Sequence, residues 1–150
     1  MTIDIMEYVP QMVQKYKITG KTLDIGAMDL NGCLRGFFKD YTGLDMQDGK
    51  NVDVVASGHK IPFEDESFDC VITADTLEHD DDPFQTAREM MRVLRPGGHA
   101  IVIAPFQWPV HNFPSDYFRY TPEGLKLLFK DLECLEDELV KNHSRAIFIK

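Results

Sequence analysis

His111 and Asp116 stand five residues apart in a stretch that also holds Tyr117 and Arg119. An imidazole with a carboxylate behind it is the pairing that makes a histidine a general base. His79 comes earlier, between Glu78 and the acidic run Asp80, Asp81 and Asp82. Histidine changes charge near neutral pH, so His79 or His111 can take a proton from an acceptor hydroxyl. Plainer roles compete. His79 can cap a helix or sit at a core edge, and Asp116 can pair with Arg119 in a loop locked by its own hydrogen bonds. Phe106, Trp108, Phe113 and Tyr117 are candidates to line an acceptor pocket, or simply to pack that loop. Glu78, His79, Asp80 to Asp82 and His111 offer oxygen and nitrogen donors, but without tight ligand spacing. An acidic run before a helix start complements the helix dipole, so no metal is expected.

A second group of residues points to a nucleotide. Residues 22 to 32 read TLDIGAMDLNG, a short apolar run broken by Gly26. A helical stretch, Cys33 to Lys39, leads to a second strand, Tyr41 to Leu44, capped by Asp45. Strand, glycine turn, helix, strand and acid form the first half of a nucleotide-binding βαβ unit, the acid being placed for ribose hydroxyls. The turn has Gly26 and Gly32 but no GxGxxG, because Met28, Asp29 and Asn31 fill its middle. That disfavours close approach to a pyrophosphate, and a plain buried strand ending in a tight turn explains the segment equally well.

These groups need a frame. Ile5 to Tyr16 has helical apolar spacing, with an interruption expected at Pro10. Val52 to Ala56 and Phe68 to Thr73 read as the third and fourth strands. Asp82-Pro83 opens a helix over Phe84 to Leu94, with Phe84, Ala87, Met91 and Leu94 on its apolar stripe and Pro96-Gly97-Gly98 stopping it. His99 to Ala104 is a fifth strand, buried on both faces, and Pro105 to Tyr120 is irregular. Thr121-Pro122-Glu123 opens a last helix with Leu125, Leu128 and Phe129 on one stripe. Glu133 to Lys150 reads as a hairpin turning at Lys141 to Ser144. The sum is a mostly parallel α/β sheet closed by an antiparallel hairpin.

At 150 residues the chain suits one domain, 1–150, in which 1–20 is an N-terminal helical segment, 21–104 a ligand-binding core and 105–150 an acceptor-side loop, helix and hairpin. A net charge of −9 with dispersed Lys and Arg argues against a nucleic-acid partner. No apolar run has the length of a membrane span and no signal peptide is evident, so a cytoplasmic location is expected. Cys33, Cys70 and Cys134 are too widely spaced for a disulfide framework or a zinc knuckle, and Cys33 and Cys70 are expected to pack as small hydrophobes.

Five segments in order, LDIG at Leu23, GLD at Gly43, IPFEDESFDCVI at Ile61, DTLEH at Asp75 and REMMRVLRPGG at Arg88, carry a family resemblance. The chain resembles the class I S-adenosylmethionine-dependent methyltransferases, in particular the small type 11 group, from about Lys21 to Phe129. DIGAMDLNG and PVHNFPSDYFRYTPEG are similar to the paired loops of a subgroup that lacks the usual central glycine. The resemblance implies a Rossmann-like methyltransferase fold with helices on both faces. It implies S-adenosyl-L-methionine as cofactor and S-adenosyl-L-homocysteine as product. Gly26, Ala27 and Met28 would lie beside the methionine part, Asp24 would help hold its amino group, and Asp45, followed by Met46, would take both ribose hydroxyls. Many relatives carry an aspartate near the adenine amine where this chain has Ser57, followed by Gly58 and His59, either of whose side chains, Ser57 or His59, could substitute. Thr73, Ala74 and Asp75 would face the sulfonium. Methyl transfer from that cofactor is an in-line displacement, with His111, His79 and Asp116 as candidate catalytic residues. A small-molecule or glycan-type acceptor methylated on oxygen is the expectation, and a non-catalytic module of the same fold is the alternative. A dinucleotide-binding domain is disfavoured by the missing GxGxxG.

Overall fold

The computed structural model describes residues 3–30, 32–111 and 114–150, with backbone only at 3 and 4. Asn31 and Phe113, singled out above, lie outside the described residues. Seven strands form one sheet in the order β3-β2-β1-β4-β5-β7-β6. They are β1 (Lys21–Ile25), β2 (Asp40–Asp45), β3 (Val54–Val55), β4 (Phe68–Ala74), β5 (Leu94–Pro105), β6 (Glu133–Val140) and β7 (His143–Ile149). β1 to β5 run parallel, while β7 is antiparallel to both β5 and β6. The expected parallel sheet with a closing hairpin is therefore what the chain forms.

Strand alternation divides the core in two. Leu23, Ile25, Val71, Ala100, Val102, Ala146 and Phe148 point to one face, under α2 (Pro83–Val93) and α3 (Pro122–Leu128). Cys70, Ile72, Ala74, Ile101, Ile103 and Ile147 point to the other, where α1 (Ile3–Lys15) lays down Ile5, Tyr8, Val9 and Met12. β4 and β5 carry apolar residues on both faces, which is why they read as near-continuous hydrophobic runs.

Several boundaries correct the sequence reading. Pro10 does not break α1, which runs through it. The proline removes one backbone donor, but the buried stripe Ile5, Val9 and Met12 offsets the loss. The helix expected over Cys33 to Lys39 shrinks to a 3-10 turn, Arg35–Phe37, too short to recover its nucleation cost as an α-helix. β3 keeps only Val54 and Val55, because the Asp53 carboxylate turns back to the Gly43 N–H at 2.7 Å. α2 buries Thr86, Ala87, Met90 and Val93, whereas Phe84 is 48% exposed. Its phase follows from Asp82, whose side chain accepts the Gln85 N–H at 3.1 Å with Pro83 at the first helical position. Pro96-Gly97-Gly98 does not lie between helix and strand but inside β5. The Gly97 N–H bonds the Lys150 carbonyl and the Lys150 N–H bonds the Gly98 carbonyl, so pairing with the end of the chain holds that segment extended. Cys70 is fully buried as expected, and Cys33 is partly covered. Among the described residues no helix is long and apolar enough to cross a membrane.

Candidate functional site

Gly26 ends β1 at φ +78°, and a Cβ there would fall 2.1 Å from Thr76 Oγ1. Only glycine combines that conformation with that approach. The Gly26 and Ala27 N–H groups bond the Leu44 carbonyl, which brings the turn beside the end of β2. There the Asp45 carboxylate accepts the Met28 N–H at 3.2 Å on one oxygen and the Gln47 N–H at 3.1 Å on the other. Met46, next in sequence, is 73% exposed. The missing central glycine has a structural replacement. Asp29 accepts the Gly32 N–H at 2.8 Å and pairs with Lys50 at 2.6 Å, so a side chain ties this turn where a backbone would otherwise fold on itself.

Asp24 faces inward, 4% exposed, and its carboxylate accepts the Tyr41 hydroxyl at 2.5 Å. Asn51 donates to that hydroxyl at 2.9 Å and to the Ala27 carbonyl at 2.7 Å. Arg35 in turn holds Asn51 Oδ1 at 2.8 Å and Asp53 at 2.6 Å and lies over the Tyr41 ring. Arg35, Tyr41, Asn51 and Asp53 thus brace the turn that follows β1. Burial pushes the Asp24 carboxyl up to about 7; the Tyr41 hydrogen bond opposes the rise and the nearby Asp45 charge adds to it. The folded protein therefore holds this proton more tightly than the unfolded chain. The stability it confers is whole below about pH 4 and is lost as pH rises through about 7. Asp24→Asn keeps an acceptor for Tyr41 without a charge. Its melting temperature should exceed that of the parent by about 5 °C or more at pH 8, with the difference closing at pH 4.5 in thermal melts. A difference independent of pH would sink this account.

The remaining predicted cofactor residues also gather at the carboxyl ends of the parallel strands. β1 pairs Ile25 with Thr73 of β4, so Thr73, Ala74 and Asp75 continue past the Gly26 turn. Thr73 is fully buried and its hydroxyl has no partner. Asp75 adopts φ +52°, a conformation uncommon outside glycine that Asp tolerates better than most residues, and lies 3.0 Å from the buried His143. Ser57, Gly58 and His59 follow β3 in a turn held to α2: the Ser57 hydroxyl oxygen accepts the His59 N–H at 3.1 Å, and Gln85 donates to the His59 carbonyl at 2.9 Å. The His59 ring is committed to Asp80 at 2.6 Å, and that hydrogen bond raises its pKa. That pairing engages the Nε2 side of the ring, and Ser57 and Gly58 lie at the same strand end.

A 3-10 turn, Leu77–His79, follows β4. It is held to the aromatic loop by the Tyr117 N–H on the Glu78 carbonyl at 2.7 Å and by His79 Nδ1 on the Ser115 carbonyl at 2.7 Å. Asp116 meets both of its expected neighbours. It takes Arg119 through both oxygens, at 2.5 and 2.8 Å, and stands 3.1 Å from His111 Nδ1. Arg119 keeps the Asp116 carboxyl well below the usual range, so it stays a carboxylate behind His111. His111 does not act alone, however: its Nε2 lies 3.1 Å from Nε2 of His79. Glu78, 2% exposed, sits beside this pair, and burial pushes its carboxyl up to about 8. Phe106 and Trp108 line an open depression with Gln107, Pro109 and Asn142, while Tyr117 is exposed outside it. The bracing residues Arg35, Tyr41, Asn51 and Asp53, and the buried His143, were not legible as site residues, since each acts through a partner distant in sequence.

A family model described as a methyltransferase domain matches residues 23–102. The ubiquinone/menaquinone biosynthesis C-methyltransferase UbiE of Hahella chejuensis is 34% identical over 129 residues, covering 84% of this chain and 51% of that protein. The chain thus spans about half the length of the curated relatives it matches. Among solved structures, a putative sarcosine dimethylglycine methyltransferase from Galdieria sulphuraria superposes with a TM-score of 0.79 at 15% identity, over 99% of this chain and 86% of that one. The 1,6-didemethyltoxoflavin-N1-methyltransferase of Burkholderia thailandensis, solved with 1,6-didemethyltoxoflavin and S-adenosylhomocysteine bound, gives 0.77 at 13% identity, over 93% of this chain and 75% of that one. These two likenesses concern the fold.

Proposed function

The chain belongs to the methyltransferase domain family, and from that premise we propose that it is an S-adenosylmethionine-dependent methyltransferase. One observation carries the cofactor assignment. The Asp45 carboxylate has about four acceptor positions. Backbone N–H groups fill two of them, one on each oxygen, which leaves each oxygen an acceptor position for a ribose hydroxyl. The remaining residues fit the same cofactor. Gly26 leaves the turn without a side chain, the exposed Met46 offers an apolar flank for a base, and Asp75, paired with His143, lies at the next strand end with the Thr73 hydroxyl, which has no hydrogen-bond partner. Asp24 acts through Tyr41 and Asn51 to hold the turn carbonyl of Ala27 in place. When bound, the cofactor supplies an electrophilic methyl group on a cationic sulfur. Asp45 and Asp75 favour that cation over the neutral product by their charge. Residues 21–104 hold the cofactor and 105–150 frame the acceptor, within one methyltransferase domain.

The acceptor is a small molecule, including sugar-containing ones, and oxygen is the favoured atom. The support is the imidazole pair His79 and His111 with Asp116 behind it, a centre suited to drawing a proton from a hydroxyl. The name of the UbiE relatives favours a second reading, methylation at carbon. A phenolic carbon acceptor also needs its hydroxyl deprotonated before the ring becomes nucleophilic, so the same centre would serve. Calorimetric titration with S-adenosylmethionine and S-adenosylhomocysteine, with NAD as control, tests the assignment. Saturable binding of the first two alone is expected; binding of neither, or of NAD in their place, would overturn it.

A further inference from the structure

The two facing imidazoles pose a charge problem. His79 Nδ1 lies 2.7 Å from the Ser115 carbonyl oxygen, which can only accept, so Nδ1 carries the hydrogen. His111 Nδ1 lies 3.2 Å from the Pro109 carbonyl and 3.1 Å from the Asp116 carboxylate, again acceptors alone. In the neutral rings both Nε2 atoms then present lone pairs to one another at 3.1 Å. Something positive belongs between them. Glu78 adds a carboxylate oxygen 3.8 Å from His79 Nε2, and its second oxygen is buried with no hydrogen-bond partner. A carboxyl group 98% out of solvent, with an unsatisfied oxygen and set beside two imidazole lone pairs, has bonding capacity that a cation would fill.

We propose that Glu78, His79 and His111 bind one divalent transition-metal ion of the zinc class. Their ligand atoms all lie within 4.8 Å of one another. Tetrahedral zinc with Zn–N and Zn–O of about 2.0–2.1 Å sets its ligand atoms roughly 3.3 Å apart, and the separations of 3.1 and 3.8 Å bracket that value. Two imidazoles and a carboxylate suit zinc better than calcium or magnesium, which prefer all-oxygen sets. The outer contacts agree as well: each ring gives its other N–H to a carbonyl or carboxylate, the arrangement that fixes metal-bound histidines. Three protein ligands leave a fourth position for water or for an acceptor oxygen, whose proton a metal would loosen. That last clause rests on the methyltransferase reading; the binding of the metal does not. A second donor group, His59, Asp80 and Asp81, differs in kind, since His59 and Asp80 already satisfy each other and Asp81 is exposed.

Calorimetric titration of chelator-stripped protein with zinc chloride, without cofactor, tests the site. One equivalent is expected at micromolar or tighter Kd, weakened at least about 100-fold by His79→Gln and by His111→Gln and unaffected by His59→Gln. Glu78→Gln, nearly identical in shape, should also weaken binding, and a cooperative thermal melt of each variant reports whether it has folded. No zinc bound by the parent, or binding that survives both His79→Gln and His111→Gln in folded protein, overturns the site. Binding that is lost in His59→Gln overturns it too. Protein that takes S-adenosylhomocysteine but no zinc overturns this inference while leaving the methyltransferase assignment; zinc bound without either cofactor form supports the metal site and overturns that assignment.

Discussion

Asp45→Ala is expected to weaken S-adenosylhomocysteine binding by about 100-fold or more. Two hydrogen bonds from hydroxyls to a carboxylate contribute roughly 1.5–3 kcal/mol each, and a tenfold change in Kd corresponds to about 1.4 kcal/mol. The substitution also releases the Met28 and Gln47 N–H groups, so the turn loses its anchor along with the ligand. Asp45→Asn separates these contributions. It keeps one acceptor oxygen and should retain the fold while losing most of the affinity. Calorimetry with S-adenosylhomocysteine, alongside thermal melts of the three proteins, gives the comparison. Parent-like affinity in Asp45→Ala would remove the ribose role and with it the main support for the cofactor.

His111→Ala carries the second large effect. Whether His111 takes the acceptor proton itself or holds a metal that loosens it, kcat should fall on the scale of positioned proton transfer, about 10²–10⁴-fold. S-adenosylhomocysteine affinity should stay within about twofold, because the proposed cofactor residues lie around Gly26 and Asp45 while His111 meets His79 across the aromatic loop. Single-turnover methyl transfer to an acceptor found by screening supplies the measurement. Unchanged turnover would show the imidazole pair to be a lock between loop and 3-10 turn, with no part in the chemistry. Asp116→Asn should give a smaller loss, since Pro109 still holds the His111 ring by its carbonyl.

The sequence reading reached most of the sheet because local pattern governs it. Apolar runs gave β1, β4 and β5, and Thr121 and Asp82 announced α3 and α2 as caps that the structure uses. It failed where distant partners decide. Gly97 and Gly98 look like a helix stop until Lys150 arrives to pair with them. Pro10 looks like a break until the sheet face beneath α1 is known. At the site, Gly26 and Asp45 stood out by type and spacing. His111 and Asp116 also stood out, but the His79 contact spans 32 positions and no spacing rule predicts it. Glu78 read as one more acid in an acidic run, although it is buried and its neighbours at Asp80 to Asp82 are not all so. Tyr41, a strand residue, gave no sign that its hydroxyl would partner Asp24.

The position of β7 has a kinetic consequence. Of the seven strands it is last in chain order, yet it lies inside the sheet, between β5 and β6. Until it arrives, residues 99–105 of β5 present an open row of backbone donors and acceptors, and Ile101 lacks its cross-strand partner Ile147 and Ile103 its partner Arg145. A nascent chain made as far as α3 is thus an unfinished edge, sticky toward any other extended segment. The two-residue link Lys141-Asn142 shortens that exposure, because β6 and β7 can zip into a hairpin locally before docking as a unit. Synthesis, rather than equilibrium, is then the moment at which this fold is most exposed to aggregation.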